Sequence, residues 1–225
     1  LLAWYSKKIN QDKVMTLRTI SVPPQSGRPA KGAIVILHGW GANAEDAAYF
    51  TGLLNLSEYY LVFPEGPFDH PAPGGKMWYG FPSGFNFGGN WGHLPQLQAS
   101  RQALIDYLTK LPTVTQVPLT QTLLGGFSQG GAMTIDVGFD FPLAGRMVLS
   151  GYRHGAIAPV SDQAPVLMVH GAVDPVVPVA VAVETRDRLL EAGASVKYLE
   201  FPTMGHEVSQ AVLGEMDGFI QRILG

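Results

Sequence analysis

The stretch Leu123–Gly131 reads LLGGFSQGG: an apolar run, then one hydroxyl set among four glycines. Why side chains are stripped from both flanks of Ser128 decides the fold. LLGGF reads as the end of a buried strand, and QGGAMTIDV can open a helix. A serine on the sharp turn between them sits in strained backbone, where its neighbours must be small. Gly126-Phe127-Ser128-Gln129-Gly130 fits the G-x-S-x-G nucleophile elbow, and the strand-turn-helix context it requires is present. The turn lifts the serine oxygen above the sheet, and the helix N-terminus favours negative charge nearby. The same residues also fit a plain Gly-rich turn with an N-cap serine, so the rest of the chain must choose.

Working outward, short apolar runs alternate with helical segments. Val14–Val22 alternates like a strand, and Pro23–Lys31 is turn material. Ala33–Leu37 (AIVIL) is a continuous apolar run, the mark of a strand buried on both faces. A helix is expected over Ala44–Leu54 and a strand over Tyr60–Phe63. Leu97, Arg101, Leu104, Leu108 and Leu111 then fall at helical spacing, with the arginine interrupting an apolar stripe. Further strands are expected at Thr122–Phe127, Met147–Leu149, Val166–Val169 and Val196–Phe201. Helices are expected at Gly130–Val137, Val179–Ala192 and Val208–Leu224. This rhythm means a mainly parallel sheet flanked by helices, an α/β fold with its βα loops on one edge. No stretch is simple enough to be a linker, so residues 1–225 read as one domain without a large cap. Residues 1–12 form a loosely ordered extension in this reading.

Composition narrows the function. Of 225 residues, 46% are hydrophobic and 15% charged, enough apolar material for a large core. A net charge of −3 argues against nucleic-acid binding, and with no cysteine there is neither a disulfide nor a thiolate nucleophile. No apolar run reaches membrane-spanning length. The opening LLAWYSKKINQDK turns polar too soon for a signal peptide, so the expected location is the cytoplasm.

A serine hydroxyl needs a base, and the base needs an orienting acid. In this fold they follow in the order Ser, Asp or Glu, His, each after a strand. PVLMVHGAVDPVVP places Asp174 just after one strand, and VKYLEFPTMGHEV places His206 just after the next. Asp-Pro also begins many turns, and His206 alone could be an ordinary loop residue. Three in order on one sheet edge make the catalytic assignment Ser128, Asp174 and His206. His38 and His170 end strands in His-Gly pairs and are expected to pack beneath the site. His70, His93 and His154 have no evident carboxylate partner. No histidine spacing suggests a metal, and the chemistry needs no cofactor. For the oxyanion of an acyl-transfer intermediate, one donor is expected at the backbone N–H of Gln129, directly after the serine. The other is expected at Trp40 in LHGWGANAED, where the alternative is a plain Gly turn.

These pieces together resemble the phospholipase/carboxylesterase group of α/β-hydrolases, which includes the acyl-protein thioesterases. The resemblance rests on VILHGWGANAED, GGFSQGGAM, PVLMVHGAVDPVVP and FPTMGHEV, in order from about Ala33 onward. It implies the α/β-hydrolase fold, with Ser128 as nucleophile, Asp174 as acid, His206 as base and Trp40 and Gln129 as oxyanion donors. GGKMWYGF is similar to the family's substrate-loop segment. The departures lie in the middle: PEGP at Pro64–Pro67 replaces a common His-Ala pair between prolines, and PSGFNFGGNWGHLP does not match the usual acidic stretch. The implied substrates are small esters or thioesters, with acylated proteins and lysophospholipids among them.

Pro64–Pro95 is a long loop dense in aromatics, Gly and Pro. Its rings either fasten it to the body or wall an apolar substrate pocket, for which Met77, Trp78 and Tyr79 are the candidates. A serine carboxylesterase is the leading reading. A peptidase of the same fold ranks lower, because no gating domain or acidic pocket is visible. A non-catalytic binding module would be expected to lack a member of the Ser-Asp-His set.

Overall fold

The computed structural model describes residues 16–161 and 163–225. The expected extension over residues 1–12 lies outside them, as do residues 14 and 15 of the first expected strand. In chain order the elements are β1 (Thr19–Val22), β2 (Ala33–Leu37), α1 (Ala44–Thr51), β3 (Tyr60–Pro64), β4 (Phe68–Asp69), β5 (Lys76–Met77), α2 (Pro95–Thr115), β6 (Thr122–Phe127), α3 (Gln129–Gly138), β7 (Gly145–Leu149), β8 (Val166–Gly171), α4 (Val179–Glu191), β9 (Val196–Phe201) and α5 (Gln210–Leu224).

Seven strands form one sheet in the order β1-β3-β2-β6-β7-β8-β9. Every neighbouring pair is parallel except β1 with β3 at the edge. Alternate residues along each strand feed opposite layers. Ile34, Ile36, Leu123, Leu167 and Val169 pack with Ala47 of α1 and Met216 and Phe219 of α5. Val35, Leu37 and Leu124 face Leu104 and Leu108 of α2 and Met133 of α3. Val166 and Met168 meet Ala182 and Leu189 of α4. Being covered on both faces, the central strands need no polar alternation, which is why β2 reads AIVIL. The strand order reverses between β2 and β6. In open α/β sheets the crevice beyond the strand C-termini at such a reversal is where ligands bind.

Three features that the sequence reading missed or left unexplained have physical causes. Strand β7 begins at Gly145, two residues earlier than expected, and so includes Arg146, a fully buried charge. Its guanidinium donates to the carbonyls of Gly138 (2.7 Å) and Phe141 (3.2 Å) at the end of α3, and lies 4.3 Å from the Phe139 ring centre. A helix C-terminus is the partner that makes this burial tolerable. Arg101, the exception in the α2 stripe, bonds Asp136 of α3 at 2.6 and 3.0 Å. Finally, the long loop contains the hairpin β4–β5, pairing Phe68 with Met77 and Asp69 with Lys76. Strands of two residues carry no alternation to read.

Candidate active site

Ser128 sits between β6 and α3 with φ 54° and ψ −116°, a strained conformation for a residue with a Cβ. The turn is held by close backbone contacts that only glycine permits. A Cβ on Gly126 would lie 2.4 Å from Gly130 C and O, and one on Gly130 would lie 2.3 Å from Leu37 O. The Ser128 N–H donates to Leu149 O at 2.8 Å, tying the elbow to β7.

Two loops bring partners to the serine. His206, after β9, places Nε2 2.9 Å from Ser128 Oγ. Its Nδ1 lies 2.7 Å from Asp174 Oδ2, in the loop after β8. The partners imply the tautomer: Nδ1–H donates to the carboxylate, leaving Nε2 to accept the serine proton. The other carboxylate oxygen, Oδ1, accepts the N–H groups of Val176 (2.8 Å) and Val177 (2.9 Å). The Asp174 side chain is wholly buried, while that of His206 is 15% exposed. The Phe127 ring packs 4.8 Å from the imidazole.

The loop after β2 lies against the elbow, for a Cβ on Gly39 would come 3.4 Å from the Ser128 Cβ. Buried His38 fixes this loop. Its Nδ1 donates to Gly39 O (2.7 Å) and its Nε2 accepts the Gly66 N–H (2.8 Å). Gly39 C=O and Trp40 N–H belong to one planar trans peptide and point opposite ways, so His38 also sets the direction of the Trp40 N–H. The β4–β5 hairpin backs the loop through Gly41 N–H to Lys76 O (2.8 Å) and Lys76 N–H to Ala42 O (2.9 Å). Gln129 opens α3, where first-turn N–H groups lack helical partners. Its side-chain amide clamps the next segment, Oε1 accepting Trp78 N–H and Nε2 donating to Tyr79 O, both at 2.8 Å.

That clamp corrects the expected pocket. Trp78 and Tyr79 have no exposed surface. Trp78 Nε1 donates to His38 O (3.0 Å), and Ser100 Oγ donates to Trp78 O. The Tyr79 hydroxyl lies 2.6 Å from both Tyr152 OH and His154 Nε2. Both rings therefore serve as core, while Met77 stays half-buried. The rings that do reach solvent lie downstream. From Trp40, 44% exposed, a continuous series runs to Phe81 (5.5 Å), Phe85 (4.4 Å) and Phe87 (5.2 Å). These phenylalanines stood in the sequence among many loop aromatics, and nothing local set them apart.

His154 is a second correction. It has a carboxylate partner after all, Nδ1 lying 3.2 Å from Asp136 Oδ2. Burial pushes the Asp136 carboxyl up, but His154 and Arg101 outweigh it and hold the group below its ordinary range. The pair is distant in sequence, so spacing does not reveal it.

Burial also pushes His38 and His170 below the ordinary histidine value of 6.5. The unfolded chain takes up protons at both as pH falls through about 6.5, whereas the folded chain resists until lower pH. Stability is therefore full above that value and declines below it, by up to about 1.4 kcal/mol per pH unit for each proton. The urea midpoint is expected to drop between pH 7.5 and pH 5.5. Equal midpoints at the two values would mean that neither histidine is held neutral by the fold.

Among the described residues no helix is long and apolar enough to cross a membrane. A family model described as phospholipase/carboxylesterase matches residues 20–224. An acyl-protein thioesterase 1 of Debaryomyces hansenii is 25% identical over 218 residues, covering 88% of this chain and 94% of that protein. The acyl-protein thioesterase 1 of Neurospora crassa is 35% identical over 114 residues, which span 46% of each chain. Among solved structures, that of the esterase PE8 superposes with a TM-score of 0.81 at 26% identity, covering 93% of this chain and all of the other. Sheet order, elbow and family model agree: this chain belongs to the phospholipase/carboxylesterase family of α/β-hydrolases.

Proposed function

We propose that the protein is a single-domain serine carboxylesterase that hydrolyses acyl esters or thioesters through a covalent acyl-enzyme. The observation that carries this reading is the hydrogen-bonded line from Ser128 Oγ to His206 Nε2, and from His206 Nδ1 to Asp174 Oδ2. Ser128 Oγ attacks the acyl carbon as its proton passes to His206 Nε2. The carbonyl oxygen gains negative charge, which the N–H groups of Trp40 and Gln129 stabilise. The carbon–oxygen or carbon–sulfur bond breaks as His206 returns the proton to the leaving alcohol or thiol. Water then gives a proton to His206 and attacks the acyl-enzyme, and Ser128 recovers its proton as the acid leaves. Asp174 holds the imidazole in place and balances its charge while protonated.

The exposed ring of Trp40 and the half-buried rings of Phe81, Phe85 and Phe87 support an apolar wall beside this line. Each methylene laid on such a wall is worth about 0.8 kcal/mol. Phe81→Ala is therefore expected to lower kcat/KM roughly tenfold more for an octanoyl than for an acetyl ester. Trp78→Ala, by contrast, is expected to lower Tm and affect all acyl lengths alike, since it empties a core site. Chain-length discrimination lost through Trp78 and kept in the Phe81 variant would overturn this placement.

The deciding experiment is labelling with a fluorophosphonate, followed by a panel of acyl esters, acyl thioesters, lysophospholipids and a matched amide. Labelling at Ser128 with ester or thioester turnover is expected. Absence of labelling would reject the enzyme, and faster amide cleavage would favour a peptidase.

A further inference from the structure

His170 is the penultimate residue of β8, four residues before Asp174, and no step above uses it. Its side chain has no exposed surface. Nε2 lies 2.8 Å from the carbonyl oxygen of Val177, a contact that requires an N–H. A neutral imidazole has one such group, so the proton sits on Nε2 and Nδ1 keeps a lone pair. That Nδ1 is buried without a hydrogen-bond partner. A bare lone pair is the less costly atom to leave there, since orphaned buried N–H groups are the rarer case in folded proteins.

The carbonyl that His170 holds belongs to the turn that carries the acid. Asp174 Oδ1 accepts the N–H groups of Val176 and Val177, closing the turn on itself. Val177 then hangs from β8 through His170. Asp174 Oδ2, the oxygen that faces His206, is 3.5 Å from His170 Nε2, too far for a good bond but close enough to feel its dipole. We infer that His170 is a positioning residue of the hydrolytic site, whose Nε2–H fixes the Val177 carbonyl and with it the turn that aims Asp174 at His206. The inference rests on the Ser-His-Asp reading above.

The charged and titratable groups facing His170 are Asp174, His206 and, paired in register on β9, Glu200. Burial favours the neutral ring, and so does His206. Asp174 and Glu200 oppose them without prevailing. The neutral state matters to the geometry, because a protonated ring would offer Asp174 a competing charge and weaken its hold on His206.

The test compares His170→Phe and His170→Gln with the unaltered protein, using a p-nitrophenyl ester. The phenyl ring fills the space but donates nothing, leaving the buried Val177 carbonyl unanswered. The Gln amide reaches outward to a position near Nε2 and can donate. For His170→Phe, kcat is expected to fall about 10- to 100-fold with KM within about twofold, as for a small displacement of a catalytic group. His170→Gln is expected to recover to within about fivefold. In the unaltered protein, ¹⁵N NMR should show His170 as the neutral Nε2–H tautomer throughout the pH range of activity. Wild-type kcat in the Phe variant would overturn the inference. So would an equal loss in a folded Gln variant, or an Nδ1–H tautomer. Should the Phe variant not fold, the Gln variant and the tautomer still decide. Ser128→Ala, run alongside, separates the two readings. If it retains turnover the triad fails, whereas if it is inactive and His170→Phe is normal only the role of His170 fails.

Discussion

Ser128→Ala is expected to lower ester hydrolysis by about four to six orders of magnitude with Tm changed by only a few degrees. The Oγ is the atom that would form the acyl bond, and it lies 2.9 Å from the base. Its removal leaves the proposed oxyanion donors, Trp40 and Gln129, which alone would sustain only a small residual rate. The backbone strain at φ 54° is the same for alanine as for serine, so the fold has no reason to change. Because the groups act as a unit, His206→Ala should cost a similar factor, and the double variant little more than either. Steady-state hydrolysis beside a thermal melt checks this. A folded Ser128→Ala protein turning over at a few per cent of the normal rate would sink the assignment.

Gly130→Ala should unfold or severely destabilise the protein, by several kcal/mol and more than about 10 °C in Tm. Helix propensity alone points the other way, since alanine is favoured over glycine in a helix by about 1 kcal/mol. Space decides against it. The added Cβ would lie 2.3 Å from Leu37 O and 2.6 Å from both Leu37 C and His38 O. These are backbone atoms at the end of β2, and no rotamer change moves them away. Moving the helix would displace Ser128 and the loop after β2 together. Gly214 in α5 is the control, for a Cβ there meets nothing within 4 Å. Gly214→Ala should therefore gain about 0.5–1 kcal/mol. Thermal melts of the two variants should move in opposite directions, and a Gly130→Ala protein as stable as the parent would show that the elbow is not packed as described.

Much of the architecture was legible because it is written locally. A run such as AIVIL can be buried on both faces only within a covered sheet, and the alternation of such runs with helical segments implies parallel strands. Ser128, Asp174 and His206 were named from their order after successive strands, and the fold brings them within 2.9 Å and 2.7 Å of one another in a line. His38 and His170 were expected beneath the site from their His-Gly pairs at strand ends. What those pairs did not reveal is which carbonyl each ring would hold, because Gly39 is adjacent to its histidine whereas Val177 lies across a turn.

Other features were decided only when distant segments met. Met77, Trp78, Tyr79, Phe81, Phe85 and Phe87 share one loop, and composition cannot rank them. Gln129, about fifty residues away, holds Trp78 and Tyr79 against the elbow, so those two rings are fully buried while Phe81, Phe85 and Phe87 stay half-buried. Arg146 lies just outside the strand expected over Met147–Leu149, and only the C-terminal carbonyls of α3 beside it let β7 take in that charge. His154 has no carboxylate beside it in sequence, and only α3 places Asp136 near it. The sequence by itself determined the layers, the elbow and the order of Ser128, Asp174 and His206 after successive strands, because backbone periodicity and steric room at a turn act over a few residues. Which aromatic meets solvent and which charge meets its partner was left to the tertiary structure, because burial and pairing depend on segments that only folding brings together.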